Sequence, residues 1–203
     1  MSLQKEIEKK QPNPSILWFA KDLPNICSLA GLFSALLALY FAFMSLFPAA
    51  MIALIWAVVF DWVDGMIARK MKGRIAQQSE FGGQLDSLID IVSFGVCPAV
   101  VLLSYGNFSG WFIPGAFLII AACALRLSYF NVYGLDGKST YQGMACDNNA
   151  IILVFVFLFD GLLIPEQFSV LLYVSIITLA LLNVASVRTP KLGGRWFYAL
   201  LVY

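Results

Sequence analysis

Six long apolar runs, parted by short polar stretches, organise this chain of 203 residues. A helix crossing the hydrocarbon core of a bilayer needs about 20 predominantly apolar residues, with a range of roughly 17–25. On that ruler the pattern predicts spans at Pro24–Phe47, Ala49–Ala68, Leu85–Leu103, Trp111–Val132, Ala150–Leu163 and Phe168–Val187, the fifth being short. Uninterrupted runs of this length exclude the alternating segments of about 10 residues that build a barrel, so each span closes its backbone hydrogen bonds as a helix. The first run is too long for the apolar stretch of a signal peptide and lacks a small-residue cleavage pattern, so it is expected to persist as a helix. Ahead of it, Ile16–Phe19 form a small apolar cluster inside "PNPSILWFAKD", bracketed by prolines and charge. This predicts a brief N-terminal interfacial helix anchored by Trp18, the alternative being an ordinary juxtamembrane linker. The expected organisation is one membrane domain over 1–203, with a juxtamembrane segment at 1–23, a six-helix core at 24–187 and a cytoplasmic tail at 188–203. The tail "TPKLGGRWFYALLVY" could begin another membrane-associated element but is too short to assign.

Composition sharpens the class. Hydrophobic residues make up 61% and charged residues 12%, with a mean hydropathy of +0.83, whereas soluble domains hold about 45–50% apolar and about 25% charged residues. The fold class is therefore an all-α integral membrane protein, a six-transmembrane-helix bundle. The net charge of +1 gives no sign of a nucleic-acid partner. Four cysteines (Cys27, Cys97, Cys123, Cys146) form no CxxC pair and read as free thiols packed like small hydrophobes. Histidine is absent, which removes imidazole acid–base chemistry and most transition-metal sites.

The placement of Lys and Arg fixes the orientation. Lys5, Lys9, Lys10 and Lys21 precede the first span; Arg69, Lys70, Lys72 and Arg74 lie between the second and third; Arg126 and Lys138 flank the fourth-to-fifth connection; Arg188, Lys191 and Arg195 follow the sixth. The alternate loops carry none. By the positive-inside rule both termini and the Arg69–Gly82 loop face the cytoplasm, in a bacterial or archaeal cytoplasmic membrane or the endoplasmic reticulum.

Against this apolar background four carboxylates stand out. The second span ends "DWVDGMIAR" and the third contains "FGGQLDSLIDIVSF". Asp61, Asp64 and Ala68 share one helix face, as do Gly82, Asp86 and Asp90 at i, i+4, i+8. Side-by-side packing of the two helices would bring four carboxylates to one cytoplasm-facing polar cavity, with Gly65 and Gly82 leaving room for a ligand to approach backbone. Even lenient scales set a central aspartate at about 2.5–3.5 kcal/mol, so several left unpaired would cost on the order of 10 kcal/mol. Hard oxygen donors without Cys or His suit Mg²⁺, Mn²⁺ or Ca²⁺, and one or two such ions would offset the charge. Helix capping at the interface is the plainer alternative, but it does not account for four acids at matched spacing.

The run Asp61-x-x-Asp64-Gly65-x-x-Ala68-Arg69, followed by Gly82-x-x-x-Asp86-x-x-x-Asp90, resembles the signature of the CDP-alcohol phosphotransferase family. Twelve residues separate Arg69 from Gly82, where the family usually has about eight. Within the family, "SEFGGQLDSLIDIVSFGVCPA" and "LRLSYFNV" are most similar to membrane-embedded phosphatidylserine synthases. Those enzymes often carry Gly-Leu-Pro-x-Pro where this chain reads "QGMACDNNA". The resemblance implies a six-helix enzyme of phospholipid biosynthesis, commonly a homodimer, that moves a phosphatidyl group from CDP-diacylglycerol to L-serine and releases CMP. It implies Mg²⁺ or Mn²⁺, one or two ions, on Asp61, Asp64, Asp86 and Asp90, with Asp90 also taking the acceptor's proton. The donor would be held by Asp61, Asp64, Gly65, Ala68, Arg69, Gly82 and Asp86, with Arg69 as the phosphate clamp.

Further candidates rest on position alone. Arg126 and Asn131 are candidates for the acceptor and Asn25 for the polar cavity. Snorkelling of Arg126 to the interface and ordinary interhelical bonding by the asparagines are the alternatives. Two rival functions stay open: the same reaction with glycerol phosphate, inositol phosphate, choline or another alcohol as acceptor, and a divalent-cation transporter. A phosphorylated acceptor calls for a basic cluster beside the aspartates, and within a span only Arg126 is available. A transporter gives no reason for Gly-x-x-Ala-Arg.

Overall fold

The structure, a computed structural model, describes residues 15–134, 140–186 and 188–190. A five-residue helix, α1 (Ile16–Ala20), precedes α2 (Leu23–Phe43) and α3 (Phe47–Lys70). Next comes one long helical run, α4 (Ala76–Asp90), a π-helical turn (Ile91–Val96) and α5 (Cys97–Tyr105). α6 (Ile113–Tyr133), α7 (Asp147–Phe157) and α8 (Pro165–Val184) complete the bundle. Two three-residue strands, β1 (Thr140–Gln142) and β2 (Arg188–Pro190), pair antiparallel with Tyr141 opposite Thr189. The start of the expected tail is thus in a strand, and the rest of it, like the first 14 residues, lies outside the described residues.

Small residues decide the tightest packing. Gly31, Ala35, Ala38 and Ala42 recur at i, i+4, i+7, i+11 on α2, and the three alanines are buried with Ala50, Ala53, Leu54 and Ala57 of α3. Between helices in lipid, side chains of this size let backbones approach closely. Near Gly31 the approach is close enough that an added Cβ would lie 3.2 Å from the Phe60 Cβ. Large apolar side chains such as Phe33, Trp111 and Phe117 point outward, as expected for lipid-facing surface.

Among the described residues, five helical segments are long and apolar enough to cross a membrane: Leu23–Phe43, Phe47–Lys70, Ala76–Tyr105, Gly110–Tyr133 and Pro165–Val184. The chain is a multi-pass helical membrane protein. The expected span at Ala150–Leu163 differs. It forms the 11-residue α7 and a 3-10 turn at Asp160–Leu162, and an 11-residue helix is only about 16 Å long at 1.5 Å per residue. α7 nevertheless reaches along most of α3. The Trp62 Nε1 donates to Asp147 Oδ2 at 2.8 Å at one end, and Phe157 stacks on Phe47 at 5.7 Å at the other. That far end is closed by aromatic contacts of Tyr105 with Phe47 and Phe168, and by the Tyr105 hydroxyl donating to Asp160 at 2.6 Å.

The connection between the two motif helices is shorter than the expected Arg69–Gly82 loop. Only Met71–Ile75 are non-helical. "AQQSEF" holds no glycine or proline, so α4 extends back over it, begun by the Ile75 N–H donating to Gln78 Oε1 at 3.1 Å. Gly73 makes the turn at φ +86°, a conformation that L side chains avoid.

Candidate active site

α3 and α4 meet through the faces their spacing defines. Carboxylate oxygens of Asp61, Asp86 and Asp90 lie within 4.8 Å of one another, each side chain partly buried. Around them runs a small cavity bounded by Ser28 and Gly31 of α2, Ala57 of α3, and Ser93 and Phe94 of the π turn. Asp64 lines the same cavity but stands apart from the cluster of three. It is buried, and its Oδ2 accepts a hydrogen bond from the Ser28 hydroxyl. All four expected carboxylates line one cavity, three of them clustered and Asp64 bonded to Ser28 of α2. A 3.6-residue repeat places Asp61 and Asp64 about 60° apart around the axis, so both cannot point in the same direction.

The motif glycines make room for side chains of the chain itself. A Cβ on Gly65 would lie 3.3 Å from Arg69 Nη1, so the guanidinium folds back over Gly65. A Cβ on Gly82 would lie 2.9 Å from Arg74 Nη2 and 3.0 Å from Asn25 Oδ1. Ala68 sits on the turn after Gly65, partly exposed, with Arg69 exposed beside it. The oxygen-only donor set, three carboxylates converging without a thiol or imidazole, fits a hard divalent cation.

The position-only candidates fall elsewhere. Asn25 is buried and donates through Nδ2 to the Phe19 carbonyl at 2.9 Å, tying α1 to α2. Asn131 is exposed and accepts from the Ser87 hydroxyl at 3.1 Å. Arg126 lies 5.4 Å from the Phe130 ring centroid. None of the three bounds the carboxylate cavity.

Sequence reasoning missed Ser28, the pair Asp22 and Arg74, and the start of α7. Arg74 binds Asp22 through Nη2 at 2.7 Å and Nε at 2.9 Å. Asn149 donates to the Phe94 carbonyl at 3.0 Å. Only the departure at "QGMACDNNA" signalled that this last stretch differs.

A membrane helical bundle with an acidic, oxygen-only cavity between its second and third long helices defines the class. The CDP-alcohol phosphatidyltransferase family model matches residues 21–184, and the chain belongs to that family, which is divalent-metal dependent. Among similar proteins, the CDP-diacylglycerol–serine O-phosphatidyltransferase of Methanocaldococcus jannaschii is 34% identical over 143 residues, 70% of this chain and 63% of that protein. The archaetidylserine synthase of Methanothermobacter thermautotrophicus is 32% identical over 173 residues, covering 85% of this chain and 71% of that protein. The CDP-diacylglycerol–serine O-phosphatidyltransferase of Helicobacter pylori is 26% identical over 175 residues, covering 83% of this chain and 71% of that protein. The match thus covers just under two thirds of the first of these relatives.

Proposed function

We propose that this chain transfers a phosphatidyl group from a CDP-linked lipid to the hydroxyl of L-serine, giving phosphatidylserine and CMP. The observation that carries the reading is the convergence of Asp61, Asp86 and Asp90 in a chain of this family. The names of the relatives supply serine as the acceptor. Asp61, Asp86 and Asp90, with Asp64 beside them, would hold Mg²⁺ or Mn²⁺ in one or two copies, which would supply Lewis-acid charge to the donor's diphosphate.

The residues divide the remaining work. Ser28 holds Asp64 at the inner wall of the cavity. Arg69 lies over Gly65, and its planar fork pairs two phosphate oxygens at once. Serine's Oγ forms the new bond to the β-phosphorus, the bond from that phosphorus to CMP breaks, and the hydroxyl proton passes to the Asp90 carboxylate. The distribution of basic residues supports a cavity on the cytoplasmic side, where a CDP-linked nucleotide group is met. A homodimer is the assembly the family resemblance implies.

The test is CMP release from purified protein with Mn²⁺ or Mg²⁺, a CDP-linked lipid and each candidate alcohol. The two archaeal relatives are named for serine but for different lipids, so the donors include CDP-diacylglycerol and its archaeal ether counterpart. Release that requires both a divalent ion and serine supports the reading. Faster turnover with glycerol phosphate or inositol phosphate refutes the serine assignment, and ion uptake without CMP release refutes the reaction.

A further inference from the structure

Directly after Asp90 the helix leaves α register. The turn Ile91–Val96 is π-helical, and the Cys97 N–H reaches back to the Val92 carbonyl, five residues away. Such a turn inserts one extra residue into the helix. Each residue of an α-helix turns the chain by about 100°, so the extra residue resets the face of α4 relative to α5 by about that angle. α5 is fixed by its buried packing of Cys97, Val101 and Leu102. The π turn therefore decides whether Asp86 and Asp90 face Asp61 or swing away from it.

Two features hold the turn. Pro98 stands four residues after Phe94 and has no N–H, so the Phe94 carbonyl lacks the donor that a continuous α-helix would supply. The Asn149 Nδ2 donates to that carbonyl at 3.0 Å. Asn149 is fully buried, and its Oδ1 has no hydrogen-bond partner among the described residues. A carbonyl only accepts, so the atom facing Phe94 has to be the amide nitrogen. Phe94 and Ser93 of this turn themselves bound the carboxylate cavity. Two residues before Asn149, Asp147 accepts from Trp62, which lies between Asp61 and Asp64 in sequence. The first turn of α7 thus touches α3 and the π turn that follows α4.

We propose that Asn149 is a positioning residue: with Pro98, its hydrogen bond to the Phe94 carbonyl keeps the π turn that aims Asp86 and Asp90 at Asp61. It acts through the backbone and touches neither donor nor acceptor. The inference rests on the metal-dependent transfer proposed above.

The test compares Asn149→Leu, which keeps the side-chain shape without a donor, and Pro98→Ala, which restores an N–H to the helix. Mn²⁺ affinity of the detergent-solubilised full chain is read by electron paramagnetic resonance, and amide exchange across Ile91–Val101 is read without metal. Asn183→Leu is the control, because Asn183 is an equally buried asparagine on α8 whose side-chain atoms lack hydrogen-bond partners among the described residues. Groups that orient metal ligands from behind typically account for 10–100-fold in affinity. Asn149→Leu is expected to weaken Mn²⁺ binding about tenfold or more and to speed exchange in the π turn. Pro98→Ala is expected to weaken Mn²⁺ binding comparably, and Asn183→Leu to leave it within twofold. Wild-type Mn²⁺ affinity in Asn149→Leu or in Pro98→Ala overturns the proposal, even with faster exchange, because the bond would then only brace a helix. An equal loss in Asn183→Leu overturns it too. If the unmodified chain binds Mn²⁺ but releases no CMP, the transfer reading fails while the positioning role stands or falls by these variants. A chain that binds no Mn²⁺ overturns both.

Discussion

Replacing Arg74 with Ala removes half of an ion pair that neither partner can replace from water. The Arg74 and Asp22 side chains are 11% and 3% exposed, and Nη2 and Nε approach the same Asp22 Oδ2 at 2.7 and 2.9 Å. Nη2 also donates to the Gln78 carbonyl at 3.2 Å. An exposed pair contributes about 0–1 kcal/mol. Breaking a buried one strands a charge and costs about 3–5 kcal/mol. Asp22 precedes α2 at its N-cap position yet makes no capping bond there, so its carboxylate is committed to Arg74. For a chain of this size each kcal/mol moves the melting temperature by roughly 2–4 °C, so Arg74→Ala should melt on the order of 10 °C lower. Asp22→Ala combined with Arg74→Ala should lose less than the sum of the single variants, because the stranded charge is gone. The assay is thermal unfolding in detergent followed by tryptophan fluorescence, run as a double-mutant cycle. A loss below about 1 kcal/mol in Arg74→Ala, with additive single variants, would refute the buried-pair reasoning and mark the contact as an ordinary surface pair.

Two further outcomes separate roles within the site and the membrane. Asp61→Asn, nearly isosteric but neutral, should weaken Mn²⁺ and donor binding and regain activity at high Mn²⁺. Asp90→Asn should stay about 10²–10⁴-fold slow at saturating Mn²⁺, because it also lacks the proton acceptor; turnover across a Mn²⁺ titration measures both, and full rescue of Asp90→Asn would reduce Asp90 to a ligand. In sealed cells an impermeant thiol reagent should label a cysteine placed at the exposed Asn107 but not one at the exposed Lys72; the reverse pattern would overturn the assigned orientation.

Much of this protein is determined one helix at a time, and that part is legible in the chain. Lipid cannot satisfy backbone polar groups, so long apolar runs had to be helices, and five of the expected spans are present as long helices. The spacing of Asp61, Asp86 and Asp90 assigned each to a helix face, because side-chain direction within a helix follows from counting residues. Counting cannot say how one helix is turned against another. That depends on Gly31 and the alanines of α2 lying against α3, and on a π turn after Asp90 that shifts the count by one. Tertiary structure therefore decided that Asp64 answers to Ser28 rather than to the other three carboxylates. It also decided that the space at Gly65 and Gly82 is taken up by Arg69, Arg74 and Asn25. The short α7 has the same origin. Its apolar run sets no starting point, and the helix begins where Asp147 meets Trp62 and Asn149 meets Phe94, partners 85 and 55 residues away in the chain. Contacts that distant leave no periodic trace in sequence, because each partner is an unremarkable residue until the fold brings it opposite the other.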